Sequence, residues 1–242
     1  MAQTLLTRSI ILAKFNVGDY DNAYLALSRD YGRLRLFAKS SRKPKAKLSA
    51  HLEPGTFVST WFVPRFNRDN YLIVGAKTIF KPNFHKLSSN QNKTISNTLF
   101  LTRKLTQETE IEPNNIQAGF KLLKNCLANY LKPGISANDL ILFQTAYLLK
   151  LLNYAGFKPD FKKCIHCQKK VSNNSKIYYD IINGGIACCG LANSPIIPLN
   201  CLKLANFLLL NPFSRVSKLK VHALLVKKVS AIAKNHLRYC VE

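Results

Sequence analysis

Five short segments rich in β-branched and aromatic residues crowd the first eighty positions: 9–16, 23–29, 33–39, 56–63 and 71–80. Turn chemistry separates them at Gly18-Asp19, Tyr31-Gly32, Pro54-Gly55 and Arg68-Asp69-Asn70. An open sheet of strands this short would leave its edges unpaired, and closing the sheet on itself removes them. The pattern therefore predicts a five-stranded, OB-like β-barrel over residues 1–80.

Residues 33–47, RLRLFAKSSRKPKAK, hold seven basic side chains and no acidic one. They are Arg33, Arg35, Lys39, Arg42, Lys43, Lys45 and Lys47. In the first half Arg33, Arg35, Phe37 and Lys39 alternate with Leu34, Leu36 and Ala38, the period of a strand with one buried face. The second half is a polar, Pro-containing basic loop. A strand that offers cations and a ring and then feeds a cationic loop suits a nucleic-acid backbone with a stacking surface beside it. The plain alternative is a solvated charged strand in a basic protein. Composition favours the first reading: 36 Lys+Arg against 12 Asp+Glu give a formal charge of +24, which repels itself unless a polyanion neutralises it. DNA, RNA and anionic membrane are the usual polyanions. No apolar run approaches the roughly 18 residues of a spanning helix, so no membrane partner is expected. The opening MAQTLLTRSIILAKF reads as a first strand and not as a signal peptide.

Residues 81–94 are polar and contain a proline, which predicts a linker. Beyond it the pattern turns helical, with expected helices at 95–106, 114–131, 136–155, 199–210 and 217–238. The chain is thus α+β: a barrel at 1–80, a linker at 81–94 and a helical domain at 95–242 with a cysteine-containing loop insert at 158–198. The segment from 136 opens on an N-cap-like Ser-Ala-Asn-Asp and is apolar on nearly all sides, as a central bundle helix would be. On a helical wheel the last segment groups Lys220, Lys227, Lys234 and Arg238 against Val221, Leu225, Val229 and Ile232. This is either a solvated basic face or a stripe for DNA or an acidic peptide.

Seven cysteines (Cys126, Cys164, Cys167, Cys188, Cys189, Cys201 and Cys240) suit a reducing compartment, where metal ligation is commoner than a disulfide framework. Cys164 and Cys167 have the CxxC spacing that lets two thiolates meet one zinc. A second CxxC starting at Cys188 would need a cysteine at position 191, which is Leu191. Cys188 and Cys189 are adjacent, and only a turn aims adjacent side chains the same way. Cys189 is the expected fourth ligand, with His166 and Cys201 as substitutes. One structural zinc, a metal-free remnant of such a site and redox chemistry all remain open. Catalysis is poorly served: the twelve carboxylates show no paired spacing, and no GxxxxGK(S/T) loop signals a nucleotide cofactor.

The run NVGDYDNAYLALSRDYGRLRLFAKSSRKPKAKLSAHLEPGTFVSTWF resembles the N-terminal domain of the bacterial RecO recombination mediators. An acidic-polar turn (19–21), a strand (24–27), a glycine turn into a second strand (31–35), a K-(G/S)-x-R-(K/R)-P loop (39–44) and a segment before the next strand (52–55) follow in the family's order. The later helices and the CxxC…GG…C insert match its layout, with the fourth cysteine displaced. The resemblance implies an OB-fold followed by a helical domain and a non-enzymatic role in recombinational DNA repair. It implies binding of single- and double-stranded DNA, strand annealing, and loading of recombinase onto DNA coated with single-strand-binding protein. Implied partners are RecR and the acidic C-terminal tail of single-strand-binding protein; the implied location is cytoplasmic, at the nucleoid. Two other readings compete: an RNA-binding OB/zinc-ribbon protein associated with the ribosome, and a nucleic-acid-processing enzyme, against which the scarcity of carboxylates weighs.

Overall fold

The computed structural model describes residues 3–43, 46–64, 71–106, 113–171, 176–180, 182–189 and 196–241. The chain folds as two compact units, Met1–Leu131 and Lys132–Glu242.

The first unit is built on a closed barrel of β1 (Leu5–Val17), β2 (Asp21–Ser28), β3 (Arg33–Ala38), β4 (Phe57–Pro64) and β5 (Tyr71–Phe80), in the spatial order β1-β2-β3-β5-β4. The expected five-stranded barrel is therefore present. Neighbours are antiparallel except for a short parallel junction, where Leu36 and Phe37 of β3 face Tyr71 and Leu72 of β5. β1 is longer than its local pattern suggests because it serves two partners: residues 5–10 pair with β4 and the later part with β2. An irregularity between Ile11 and Ala13 lets it bend from one to the other. Ile11, Tyr24, Leu34, Leu36, Val58 and Phe62 fill the interior.

Helices α1 (Ser89–Leu105) and α2 (Pro113–Tyr130) belong to the same unit and pack on the strands. The start of α1 corrects the expected linker, whose residues 89–94 are helical. The cause is a capping box: the Ser88 side chain accepts from the Gln91 backbone, and the Gln91 side chain accepts from the Ser88 backbone. Gln91 is buried, and its amide donates to the Tyr130 carbonyl at 2.7 Å, which ties α1 to the end of α2.

The second unit centres on α3 (Ala137–Tyr154), which Ser136 caps by accepting from the Asp139 amide. Ten of its side chains are buried, and it packs against α4 (Leu199–Leu210), α5 (Phe213–Val216) and α6 (Ala223–Val241). Lys150 leaves α3 to donate to the Leu209 carbonyl in the last turn of α4, and burial pushes its amine down to about 8. The expected helix at 217–238 is corrected. A separate turn of helix at α5 ends near Ser217, and α6 begins only after His222, whose ring Nδ1 accepts from the Leu224 amide as a cap. Lys220 and Val221 therefore precede α6 and do not lie on its wheel. The insert carries a two-stranded antiparallel ribbon, β6 (Tyr178–Asp180) and β7 (Gly185–Ala187).

Candidate functional site

The barrel positions the basic segment as the alternation requires. Leu34, Leu36 and Ala38 are buried, while Arg35 is exposed and Arg33 and Phe37 are half-buried on the outer face. The cations then differ in what holds them. Arg33 Nη1 donates to the carbonyl of Arg103 at 2.6 Å, in the last turn of α1, where helix carbonyls have no partner within the helix. Lys39 is exposed just before Ser40, a non-glycine residue in the left-handed region (φ 54°). That strained turn is pinned to the β1–β2 turn. Asp21 accepts from the Ser40 amide at 2.7 Å, Asn22 donates to the Ser41 hydroxyl, and the Arg42 amide and guanidinium donate to the carbonyls of Tyr20 and Gly18. Arg42, Lys43 and Lys47 are exposed, and Lys43 Nζ lies 5.5 Å from the centre of the Tyr20 ring. Lys45 lies outside the described residues.

Residues 40–43 thus form a strap pinned by backbone bonds and by the Arg42 guanidinium, with Lys39 and Lys43 exposed beside it. Sequence reasoning missed Tyr20, which is 58% exposed beside that strap. Its one available signal was an aromatic residue in the Gly18-Asp19 turn, where no core needs it.

The second candidate site is the cysteine insert. Cys164, Cys167, Cys188 and Cys189 come together with all four sulfurs within 4.8 Å of one another. The Cys167 and Cys188 sulfurs lie 3.5 Å apart and those of Cys164 and Cys189 3.8 Å apart. The thiols are free, and a tetrahedron with Zn–S arms of about 2.3 Å has S···S edges of about 3.8 Å, so the arrangement fits one tetrahedral metal. Cys188 and Cys189 sit in a bend just after β7, the turn their adjacency demanded. Two glycines let the arms close. Gly184 has φ +68° and the Tyr239 ring stands where its Cβ would be; at Gly185 the Ile165 side chain does the same.

Burial would raise the Cys164 thiol, but backbone N–H groups of Cys167, Cys188 and His166 outweigh it and hold the thiol down, to about 6. Cys188 is pushed up to about 12 by its hydrogen bonds to Cys167 and Cys164. Four thiolates this close oppose one another's ionisation, and a cation at their centre would remove that opposition. The two substitute ligands are occupied elsewhere. His166 Nε2 lies 3.1 Å from Asp180 Oδ2, and Cys201 is buried in α4. Asp180 itself caps the ribbon turn by accepting from Ile182 and from both the backbone and side chain of Asn183.

The third set of predicted residues is only partly gathered. Lys227, Lys234 and Arg238 are exposed at helical spacing along α6, opposite buried Val226, Val229, Ile232 and Ala233. Lys220 stands apart from them, ahead of the helix.

Comparison with known proteins bears on both units. A family model described as "Recombination protein O N terminal" matches residues 1–79, and one described as "Recombination protein O C terminal" matches residues 97–242. A protein named DNA repair protein RecO from Dehalococcoides mccartyi (strain CBDB1) is 28% identical over 239 residues, 98% of this chain and 90% of its own length. One of the same name from Thermodesulfovibrio yellowstonii is 34% identical over 185 residues, 75% of this chain and 68% of its own. Another, from Alkaliphilus metalliredigens, is 27% identical over 235 residues, covering 96% and 91%.

Proposed function

The chain belongs to the RecO family of DNA repair proteins, and on that premise we propose that it is a DNA-binding recombination mediator and not an enzyme. The observation that carries the reading is the strap after β3, whose backbone is pinned to the β1–β2 turn while Lys39, Arg42, Lys43 and Lys47 stay exposed. A fixed row of cations meets phosphates without first being ordered, and each contact releases counterions from the DNA. Arg35 and Phe37 extend that row on β3, and Lys45 falls within it by sequence. Arg33 serves the end of α1 instead. Such binding is blind to base sequence and accepts single- and double-stranded DNA alike.

Annealing follows from charge. Two DNA strands repel each other, and a chain of +24 that binds one lowers the barrier to approach of the other. We assign to this chain the loading of recombinase onto DNA coated with single-strand-binding protein, in concert with RecR. The exposed cations of α6 (Lys227, Lys234 and Arg238) are the proposed contact for that protein's acidic tail, with Lys220 beside them in sequence. Charge would set the encounter rate and apolar burial the lifetime. The work belongs in the cytoplasm, at the chromosome. Cys164, Cys167, Cys188 and Cys189 would hold one structural zinc, since all-sulfur ligation leaves no open position for catalysis.

The test is strand annealing with complementary oligonucleotides coated by single-strand-binding protein, comparing the natural chain with a Lys39→Ala/Lys43→Ala/Lys47→Ala variant. Annealing should slow. The slope of log affinity against log salt on single strands should flatten by about 2, from roughly 0.7 for each of the lost contacts. A folded variant with unchanged slope and affinity would remove the strap from the function.

A further inference from the structure

Cations alone cannot tell a single strand from a duplex, because both present phosphates. The first unit carries a feature of another kind. Phe15 on β1 is 42% exposed and Phe100 on α1 is 51% exposed. The guanidinium of Arg103 lies over both rings, 5.8 Å from the centre of Phe15 and 5.2 Å from that of Phe100. The backbone carbonyl of Arg103 accepts the 2.6 Å hydrogen bond from Arg33. The strand register adds a third ring. Phe15 faces Ala23 on β2, and Ala23 faces Phe37 on β3, so two aromatic residues flank a small one on the barrel's outer face, the face that also offers Arg35.

We propose that Phe15, Arg103 and Phe100 form a base-stacking platform that gives this chain a preference for single-stranded DNA over duplex. The proposal rests on the DNA-binding reading above and adds strand discrimination to it. In a duplex the faces of the bases are covered by their neighbours. In a single strand they are free to lie on a ring or on a guanidinium plane. A half-exposed guanidinium lying over two exposed rings offers a π-surface to an unpaired base, and the phosphates of a strand resting on it would have Arg35 alongside. The charge of the barrel beside it favours a polyanion: residues 1–80 carry 13 basic side chains against 5 acidic ones.

The test replaces each ring by leucine in the full chain, Phe15→Leu, Phe100→Leu and the pair. Leucine keeps apolar bulk and removes the aromatic face, and both positions are exposed enough for the fold to survive. Binding to an oligothymidylate and to a duplex of equal length is measured at several salt concentrations. Affinity for oligothymidylate should fall about fivefold or more for each ring, the lower end of what base–aromatic stacking contributes. Duplex affinity and both salt slopes should stay as they were, because stacking displaces no counterions. Phe100→Trp should retain single-strand affinity. Leucine variants that bind oligothymidylate like the natural chain would overturn the platform, as would an equal loss on duplex. Failure of the natural chain to bind either DNA would overturn the DNA-binding reading itself and the platform with it.

Discussion

His236 shows how one buried side chain contributes to the pH dependence of the second unit. It is 4% exposed, with Nε2 at 3.0 Å from the Phe157 carbonyl and Nδ1 at 2.8 Å from the Tyr179 hydroxyl. A carbonyl only accepts, so Nε2 carries the proton and Nδ1 accepts from the tyrosine. Burial pushes the imidazole below its usual 6.5, against smaller upward contributions from the backbone contacts to Phe157 and Gly184. With the folded value depressed, the unfolded chain binds the proton more readily between the folded value and 6.5. This contribution to stability is therefore complete above about 6.5 and is lost as pH falls through that window. Urea unfolding of His236→Gln should show a loss of about 1–2 kcal/mol at neutral pH from broken buried hydrogen bonds. That gap should narrow near pH 5.5; a gap independent of pH would mean His236 titrates alike in both states. Little of this was legible in the sequence, where His236 is a lone histidine in a helical run. Arg33 teaches the same lesson: alternation placed it on the outer face, but its partner, the carbonyl of Arg103, is seventy residues away.

At the scale of elements, legibility followed the range of the forces involved. The five strands and α3 were readable because period and turn chemistry are local. The first turns of α1 were also written locally, as Ser88 followed by Gln91, but polar SNQN masked a capping box whose glutamine is buried by a tertiary bond to Tyr130. The break before α6 depends on a histidine acting as a cap, a choice that propensity does not favour. The cysteine insert was legible in its ligands and obscure in its geometry, since only the bend after β7 turns Cys188 and Cys189 to the same point. Its ribbon has three residues on each strand, too little pairing to persist alone. Metal should therefore hold the insert together. Protein purified without chelator should contain about one zinc per chain, the content of a single tetrahedral site. Chelation should then release four reactive thiols and open residues 158–198 to protease, with the barrel left intact. Full thiol reactivity in metal-free, protease-resistant protein would show that packing suffices.

The whole molecule is governed by its charge. Twelve carboxylates can neutralise at most twelve of the thirty-six cations; Lys14–Glu53 at 3.0 Å and Arg29–Asp30 at 3.7 Å are examples of such pairs. Excess charge appears in both parts of the chain, with 13 basic against 5 acidic side chains in residues 1–80 and 23 against 7 in 81–242. Composition made this plain without any fold; what it could not give was the grouping of α1 and α2 with the barrel, which depends on packing between residues far apart in the chain. Unrelieved repulsion destabilises the compact state, and salt weakens it as the screening length shrinks from about 10 Å at 0.1 M to about 3 Å at 1 M. Sodium chloride should therefore raise the melting temperature of the free protein. DNA should raise it further at low salt, by binding the folded state alone. The same salt weakens that binding through counterion release, so the two melting curves should converge as salt increases. A free protein indifferent to salt would mean its cations are already neutralised within the fold. Free and bound curves that rise in parallel would mean that DNA gains nothing from the charge, and a strap of exposed lysines would then be serving something other than phosphate.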